Sequence, residues 1–338
     1  MQESPATEIK TKTAAPKPRF KPRLMGLLTV VAAFAVSAVA VAPFYFSRPE
    51  TVGGQRVYRI PETHDLENLI PAIEEFDRGL GSGLLYTRWF ATINNGYGTA
   101  TGNFYPPGIY YLASLINRFV GDWIMTLFVI SLLGLAASGL SLYLFARQFY
   151  SGLPSAVGSL LYMLAPYHML DLYWRGAIPE FLGFAFIPLV LYFAYRLGNE
   201  GRLRHLAALG VVYGVYLMTH FPVGYIFTYV LAAYALLSAI KERDVKVGLR
   251  IAGGMVLAFA VASIYLLPAA LEGKYAYEWA SELFPYHSMY MTLMQTTDLF
   301  AQRVNLAWIF HALVLVVAIV ALRATAKVEE SRASLQTR

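Results

Sequence analysis

Long apolar runs separated by short polar turns fill most of this chain. The candidate spans are Leu24–Phe46, Trp123–Ala146, Leu153–Leu170, Phe181–Tyr195, Leu206–Thr219, Val223–Ile240, Ile251–Ala270 and Val304–Leu322, eight in all. Runs near 18 or more apolar residues match what a helix needs to cross a bilayer, roughly 20 residues. Their recurrence predicts an all-α polytopic membrane protein. A cleaved signal peptide is the rival reading of the first run, which is longer than a typical h-region and is followed by further spans.

Between the first two spans the period changes. Leu66, Leu69, Ile70, Ile73, Phe76 and Leu80 mark one helical face, with Glu74, Glu75, Asp77 and Arg78 on the other. This pattern predicts an interfacial helix lying on the membrane. Pro71 is best tolerated in a first turn, so the helix is expected to start near Asn68, with Asp65 in its approach. "GLGSGLLY" after it reads as a flexible helix terminus, since no strand precedes it as a phosphate-cradling loop requires. The stretch Pro106–Val120 is a short helix or a ninth span, and charge decides between them.

With eight spans and an inner start, 18 of the 27 Lys and Arg fall on the inner side, including the turns "RLGNEGRLR" and "KERDVKVGLR". A ninth span would put both basic turns outside, so the positive-inside rule selects eight. Pro106–Val120 then lies at the outer surface. The N- and C-termini are cytoplasmic, and the location is the plasma (inner) membrane. The expected organisation is a disordered basic tail over 1–23 and a transmembrane domain over 24–322. Its outer loops are 47–122, 171–180 and 271–303, and 323–338 forms a cytoplasmic tail.

Composition agrees: 57% of the 338 residues are hydrophobic and 14% charged, against about 25% charged in soluble domains. The net charge of +6 reflects topology and not nucleic-acid binding. With no cysteine, disulfides, thiolate zinc sites and a cysteine nucleophile are excluded. The presumed spans hold no charged residue beyond their edges, whereas ion-coupled transporters usually keep ionisable groups at membrane depth. Outer segments carry 14 of the 21 acids, so any chemistry is expected on that face.

Asp65 follows the membrane exit, flanked by His64 and Glu67; the plainer role is a helix cap or a solvated acid. In "YHMLDLYWRGAIPEF", Arg175 suits a lipid-linked phosphate; the alternative is an ion pair with Asp171 or Glu180. His168 and Asp171 share one face, too few ligands for a metal site without Asp65. No metal site is assigned and no cofactor is required, although a divalent cation is left open. His220 sits at another outer helix end, His311 falls inside the last span and His287 lies in the third loop. That tyrosine-rich loop fits an interface or a sugar ligand equally. No Ser-His-Asp spacing, HExxH or P-loop is present.

The ordered set "THDLEN", Tyr86-x-Arg88-Trp89, "GYG" (Gly96–Gly98), "FYPPGIYYL" and "LAPYHMLDLYWRGAIPEFLGFAFIPLVL" resembles a family of bacterial and archaeal integral-membrane proteins. These are the 6-pyruvoyl-tetrahydropterin synthase-related proteins, which are similar to the GT-C glycosyltransferase superfamily. The resemblance runs over roughly residues 25–230. It implies a GT-C-like membrane glycosyltransferase that moves a sugar from a polyprenyl-phosphate donor to a glycan, lipid or protein acceptor of the cell envelope. The active face would be extracytoplasmic and Asp65 the general base. Substrate would meet Arg175, Glu180, Arg88, Trp89, Tyr97, Tyr105, His220, Glu67 and His64. The glycines and "YPP" would fold the loop back over the outer surface and seat a short helix above the sugar. Two alternatives stand: a transporter or flippase of a lipid-linked or amphiphilic substrate, and a non-catalytic membrane subunit.

Overall fold

The computed structural model describes residues 22–46, 49–52, 55–58 and 63–275, together with the helical positions 309, 312, 313 and 316. The expected span Val304–Leu322 otherwise lies outside the described residues, as do both expected tails apart from residues 22 and 23, most of the 271–303 loop, His287 and His311.

The chain enters through α1 (Pro22–Phe46) and a two-stranded antiparallel hairpin, β1 (Pro49–Val52) and β2 (Gln55–Tyr58), registered Pro49 to Tyr58 and Val52 to Gln55. The hairpin was not anticipated: strands of four residues are too short for alternation to stand out. Then come α2 (Leu66–Gly81), the short α3 (Thr101–Phe104), α4 (Gly108–Val120) and α5 (Trp123–Ala146). α6 (Gly152–Met163) and α7 (Pro166–Leu170) follow, then a π-helical turn, Asp171–Arg175. Four long helices complete the described bundle: α8 (Ile178–Glu200), α9 (Leu203–Thr219), α10 (Phe221–Glu242) and α11 (Val245–Glu272).

Helices α1, α5, α8, α10 and α11 are long and apolar enough to cross a membrane, and α9 is a shorter apolar helix of 17 residues. The expected continuous span Leu153–Leu170 is instead broken. Pro166 lacks an N–H and would clash with the carbonyl four residues earlier. Its predecessor Ala165 is extended, at ψ 138°, as the residue before proline prefers. The 12 residues of α6 then reach about 18 Å, short of a ~30 Å hydrocarbon core.

α2 starts at Leu66, two residues before the expected point, with Pro71 inside it. Proline there forfeits the amide bond to the Glu67 carbonyl; Glu67 is exposed, so water can satisfy that group. α4 is the short helix expected at Pro106–Val120, with Pro107 as its N-cap.

Two apolar clusters hold the bundle together. One joins α1, α2, α4, α5 and the start of α8; the other joins the rest of α8 with α9, α10 and α11, and Phe186 packs against both. α8 is the shared wall. Lipid tails are as apolar as these side chains, so close packing and internal hydrogen bonds carry much of the cohesion. One such bond runs from α1 to α5, between the Tyr45 and Ser131 hydroxyls at 2.9 Å.

The two ends of the bundle differ in charge. Among the described residues, the end bearing the α8–α9 and α10–α11 turns has nine Lys/Arg and three Asp/Glu. The end bearing the hairpin, α2, α4 and the π turn has six and ten.

Candidate functional site

The acidic end is built where the helical pattern fails. The π turn closes on Gly176, a left-handed residue at φ 61°. A Cβ there would come within 2.4 Å of the Thr63 hydroxyl, so only glycine lets the 63–65 segment dock. Docking is completed by the Asp65 amide, which donates to the Arg175 carbonyl at 3.0 Å. The backbone of Asp65 is thereby fixed at the start of α2, while its side chain makes no capping bond and stays about half exposed. Asp65 thus holds the N-cap position of α2 without a side-chain capping bond.

Arg175 stands at the centre of the acids. Its Nη1 donates to Asp171 Oδ1 at 3.0 Å, Glu180 Oε2 at 2.6 Å and the Tyr167 hydroxyl at 3.1 Å. Its Nη2 lies 3.9 Å from Asp65 Oδ2. Tyr167 in turn donates to Glu180 Oε1 at 2.8 Å. His220, between α9 and α10, approaches Glu180 Oε2 with Nε2 at 3.8 Å, and its Nδ1 is buried without a hydrogen-bond partner. The ion pairs weighed as an alternative role for Arg175 are therefore formed. The guanidinium still has one edge turned toward Asp65.

Burial decides the protonation of this cluster. Asp171 is fully buried and its Oδ2 has no hydrogen-bond partner. Burial, then the neighbouring Glu180 charge, push its carboxyl well above the ordinary range, against the pull of Arg175. Burial pulls His220 down, and Arg175 adds to this while Glu180 and Asp65 oppose it. The neutral imidazole can then accept a proton. Tyr105 is pushed up to about 12 by burial first and by the Asp65 and Glu180 charges next.

A cavity of 280 Å³ opens beside this network, lined by Asp65, Asn68, Thr101, Tyr105, Tyr110 and Pro179 among others. Tyr105 stacks on Tyr110, with ring centroids 5.7 Å apart at 29°. A second cavity of 360 Å³ shares Thr101 and Tyr105 with the first. An apolar cleft of 360 Å³ lies between α4, α5, α8 and α9. Two helices line both it and the polar cavity: α4 turns Tyr110 to the polar cavity and Gly108, Leu112 and Ile116 to the cleft, and α8 turns Pro179 to the polar cavity and Leu182 to Leu189 to the cleft. At 1.5 Å per residue, Pro179 and Leu182 are about 4.5 Å apart along the axis. A polar chamber and a greasy slot thus share two helices.

The glycine-rich loop encloses this chamber through anchors on both sides. Phe90 and Thr99 form a bridge at 2.9 and 3.0 Å across a turn with left-handed Asn94, Asn95 and Gly96. The Thr92 hydroxyl donates to Glu75 at 2.6 Å. Glu75, expected on the solvent face of α2, is buried. Burial raises its pKa, but the bonds from Thr92 and the charge of Arg78 outweigh this and hold it below the usual value. On the far side, Asn103 donates to Glu272 at 2.8 Å and Tyr265 donates to the Phe104 carbonyl at 3.0 Å. Both ties reach α11.

Asp65, Arg175, Glu180, His220 and Tyr105 are therefore brought together. His64 and Glu67 flank Asp65 but are exposed and do not line the polar cavity; His64 has the Trp174 ring 6.3 Å away. Arg88 lies over the Tyr86 ring at 5.0 Å, Trp89 packs on Gly98, and Tyr97 is largely exposed; none of the three lines that cavity. Tyr167, Asn68, Thr101 and Tyr110 join the site without having been singled out in the sequence. Asp171 had been, as an ion-pair partner of Arg175 and as a neighbour of His168 in the metal reading. Its i,i+4 spacing to Arg175 was the available signal for more. Among the described residues, no group of three or more His, Asp or Glu is disposed to hold a metal ion, and the centre of the acids is filled by a guanidinium.

No curated protein matches the chain. The sequence profile of the 6-pyruvoyl-tetrahydropterin synthase related domain, a membrane protein, matches residues 102–333. This includes "FYPPGIYYL" and the Arg175 segment and leaves out Asp65 and the Tyr86–Gly98 motifs, so the likeness extends further toward the C-terminus, and begins later, than the motifs indicated. Covering more than half of the chain, the match places this protein in the 6-pyruvoyl-tetrahydropterin synthase related family of membrane proteins.

Proposed function

We propose that the chain is a GT-C-like glycosyltransferase of about eight spans, moving a sugar from a polyprenyl-phosphate donor to an envelope acceptor. In this reading the basic end faces the cytoplasm by the positive-inside rule, and the acidic chamber faces outward. The observation that carries the reading is a polar chamber and an apolar cleft built on the same two helices, α4 and α8. A lipid-linked sugar needs that combination: a dry slot for the tail and a polar pocket for the ring. Tyr105, stacked on the buried Tyr110, offers a ring to a sugar, and Asn68 and Thr101 offer hydrogen-bonding groups.

Asp65 is the acid placed to act as base. It takes the proton of the acceptor hydroxyl, whose oxygen bonds to the anomeric carbon as the bond to the phosphate oxygen breaks. The phosphate departs with the electron pair. Arg175 is the candidate to meet that charge, by the edge it turns to Asp65; Arg88, the second candidate from the sequence, lies over Tyr86 outside the chamber. The cavity that shares Thr101 and Tyr105 gives the acceptor an approach.

The test is Asp65→Asn in membranes supplied with polyprenyl-linked donors. Sugar transfer is expected to fall by about a thousandfold while the protein still folds; full activity would overturn the assignment. Movement of substrate across proteoliposomes with no glycosidic bond formed would replace this reading with transport.

A further inference from the structure

The basic end has its own construction, independent of the acid chamber. At the α8–α9 turn one carboxylate, Glu200, serves Arg196, Arg202 at 3.2 Å, Arg204 at 3.7 Å and His205 Nε2 at 3.1 Å. Three guanidiniums on one acid leave surplus positive charge, and Arg196 Nε is buried with no hydrogen-bond partner. Arg250 of α11 lies against the same turn, close enough that a Cβ on Gly201 would sit 3.0 Å from its Cζ. It is half-buried, and no carboxylate among the described residues lies within 4.0 Å of it.

Val247 and Ile251, on either side of Arg250 in sequence, line a 530 Å³ cavity between α8, α10 and α11. Its rim is polar, with Asn199, Ser238, Lys241 and Glu242, and Tyr195 and Tyr234 form its walls. Lys241 and Glu242 are 3.9 Å apart but well exposed, a pairing that holds the lysine weakly. Leu237 on the cavity wall continues into the exposed apolar face of α10, with Leu236 and Ile240. A free anion would gain nothing from that greasy wall, whereas acyl chains would.

We propose that this end of the bundle binds an anionic phospholipid. Its phosphate is held by Arg250 and the surplus arginines of the α8–α9 turn, and its chains lie in the cavity against α10. Basic pockets between membrane helices recognise headgroup phosphates in this way.

Native mass spectrometry of the full chain, offered phosphatidylglycerol and phosphatidylcholine in equal amounts, tests it. Phosphatidylglycerol should be retained at least about tenfold better, and the double variant Arg250→Gln, Arg204→Gln should bind it roughly thirtyfold more weakly. Lys274→Gln, at the other end, should bind as the parent does. Equal retention of the two lipids by the parent chain overturns the proposal whether or not the variants fold. So does unchanged binding by the double variant, or displacement of the lipid by millimolar inorganic phosphate, which would make the ligand a free anion.

Discussion

The acidic and basic ends of this bundle solve opposite problems with the same helices. At the basic end, α8 stops at a left-handed Gly201 and the chain turns directly into α9, in an ordinary capped connection. At the acidic end, the α6–α8 connection runs through an extended Ala165, a π turn and a left-handed Gly176 before α8 begins. Among the described residues, the irregular end is the one that buries carboxylates, Glu75 and Asp171. A regular helix directs side chains outward at fixed angles. Bringing three acids, a tyrosine and a histidine around one guanidinium required backbone that leaves the helix, as π turns at functional sites often do.

That comparison breaks most visibly at Asp65. Asp65→Asn is expected to lower sugar transfer by about a thousandfold, within the range of a lost general base. Glu67→Gln, two residues on but exposed and outside the cavity, should leave activity near the parent value. Comparable losses from both would mean that the acids work through surface charge and not through the chamber.

Next in size is Arg175→Ala. Removing the cation strands Glu180, which is nearly buried, and takes a hydrogen bond from the buried Asp171. Breaking a buried pair from one side costs about 3 kcal/mol or more, readable as a fall in thermal unfolding temperature in detergent. Arg204→Ala at the basic end removes one of several exposed cations around Glu200 and should cost at most about 0.5 kcal/mol. Equal losses would erase the distinction between the two ends. Gly176→Ala is a smaller perturbation of the same corner. Positive φ and the Thr63 contact together predict about 1–3 kcal/mol of destabilisation.

The spans were legible because hydrocarbon imposes a length and a composition that few other settings do. Trp123–Ala146 was read to the residue. The break in Leu153–Leu170 was written in Pro166 but masked by apolar neighbours, since hydropathy averages over a window and a single missing N–H does not register. In the site, Asp65, Arg175 and Glu180 stood out as charges on outer segments. Tyr167, Tyr110 and Asn68 did not, because tyrosine at a membrane interface is ordinary and only the fold shows which ones face a cavity. Glu75 was misplaced for a related reason: the periodicity of α2 assigned it to water, and a loop some 17 residues away covered it through Thr92.

The last distinction between the ends is in their response to pH. Asp171, raised by burial, keeps its proton in the folded chain at pH values where the unfolded chain has already lost it. The stability this contributes is complete below the ordinary carboxylate pKa and disappears as pH rises through the raised value. Unfolding temperature in detergent should therefore decline across that window, and Asp171→Asn, which keeps an acceptor for Arg175 without a titrating proton, should flatten the decline. His220 runs the other way: its lowered pKa contributes stability above the ordinary histidine value that is lost as pH falls. A His220→Gln chain should thus differ from the parent mainly in acid, and Asp171→Asn mainly toward alkali. If both variants shifted the profile in the same direction, the buried network would not be titrating as the geometry around Arg175 requires.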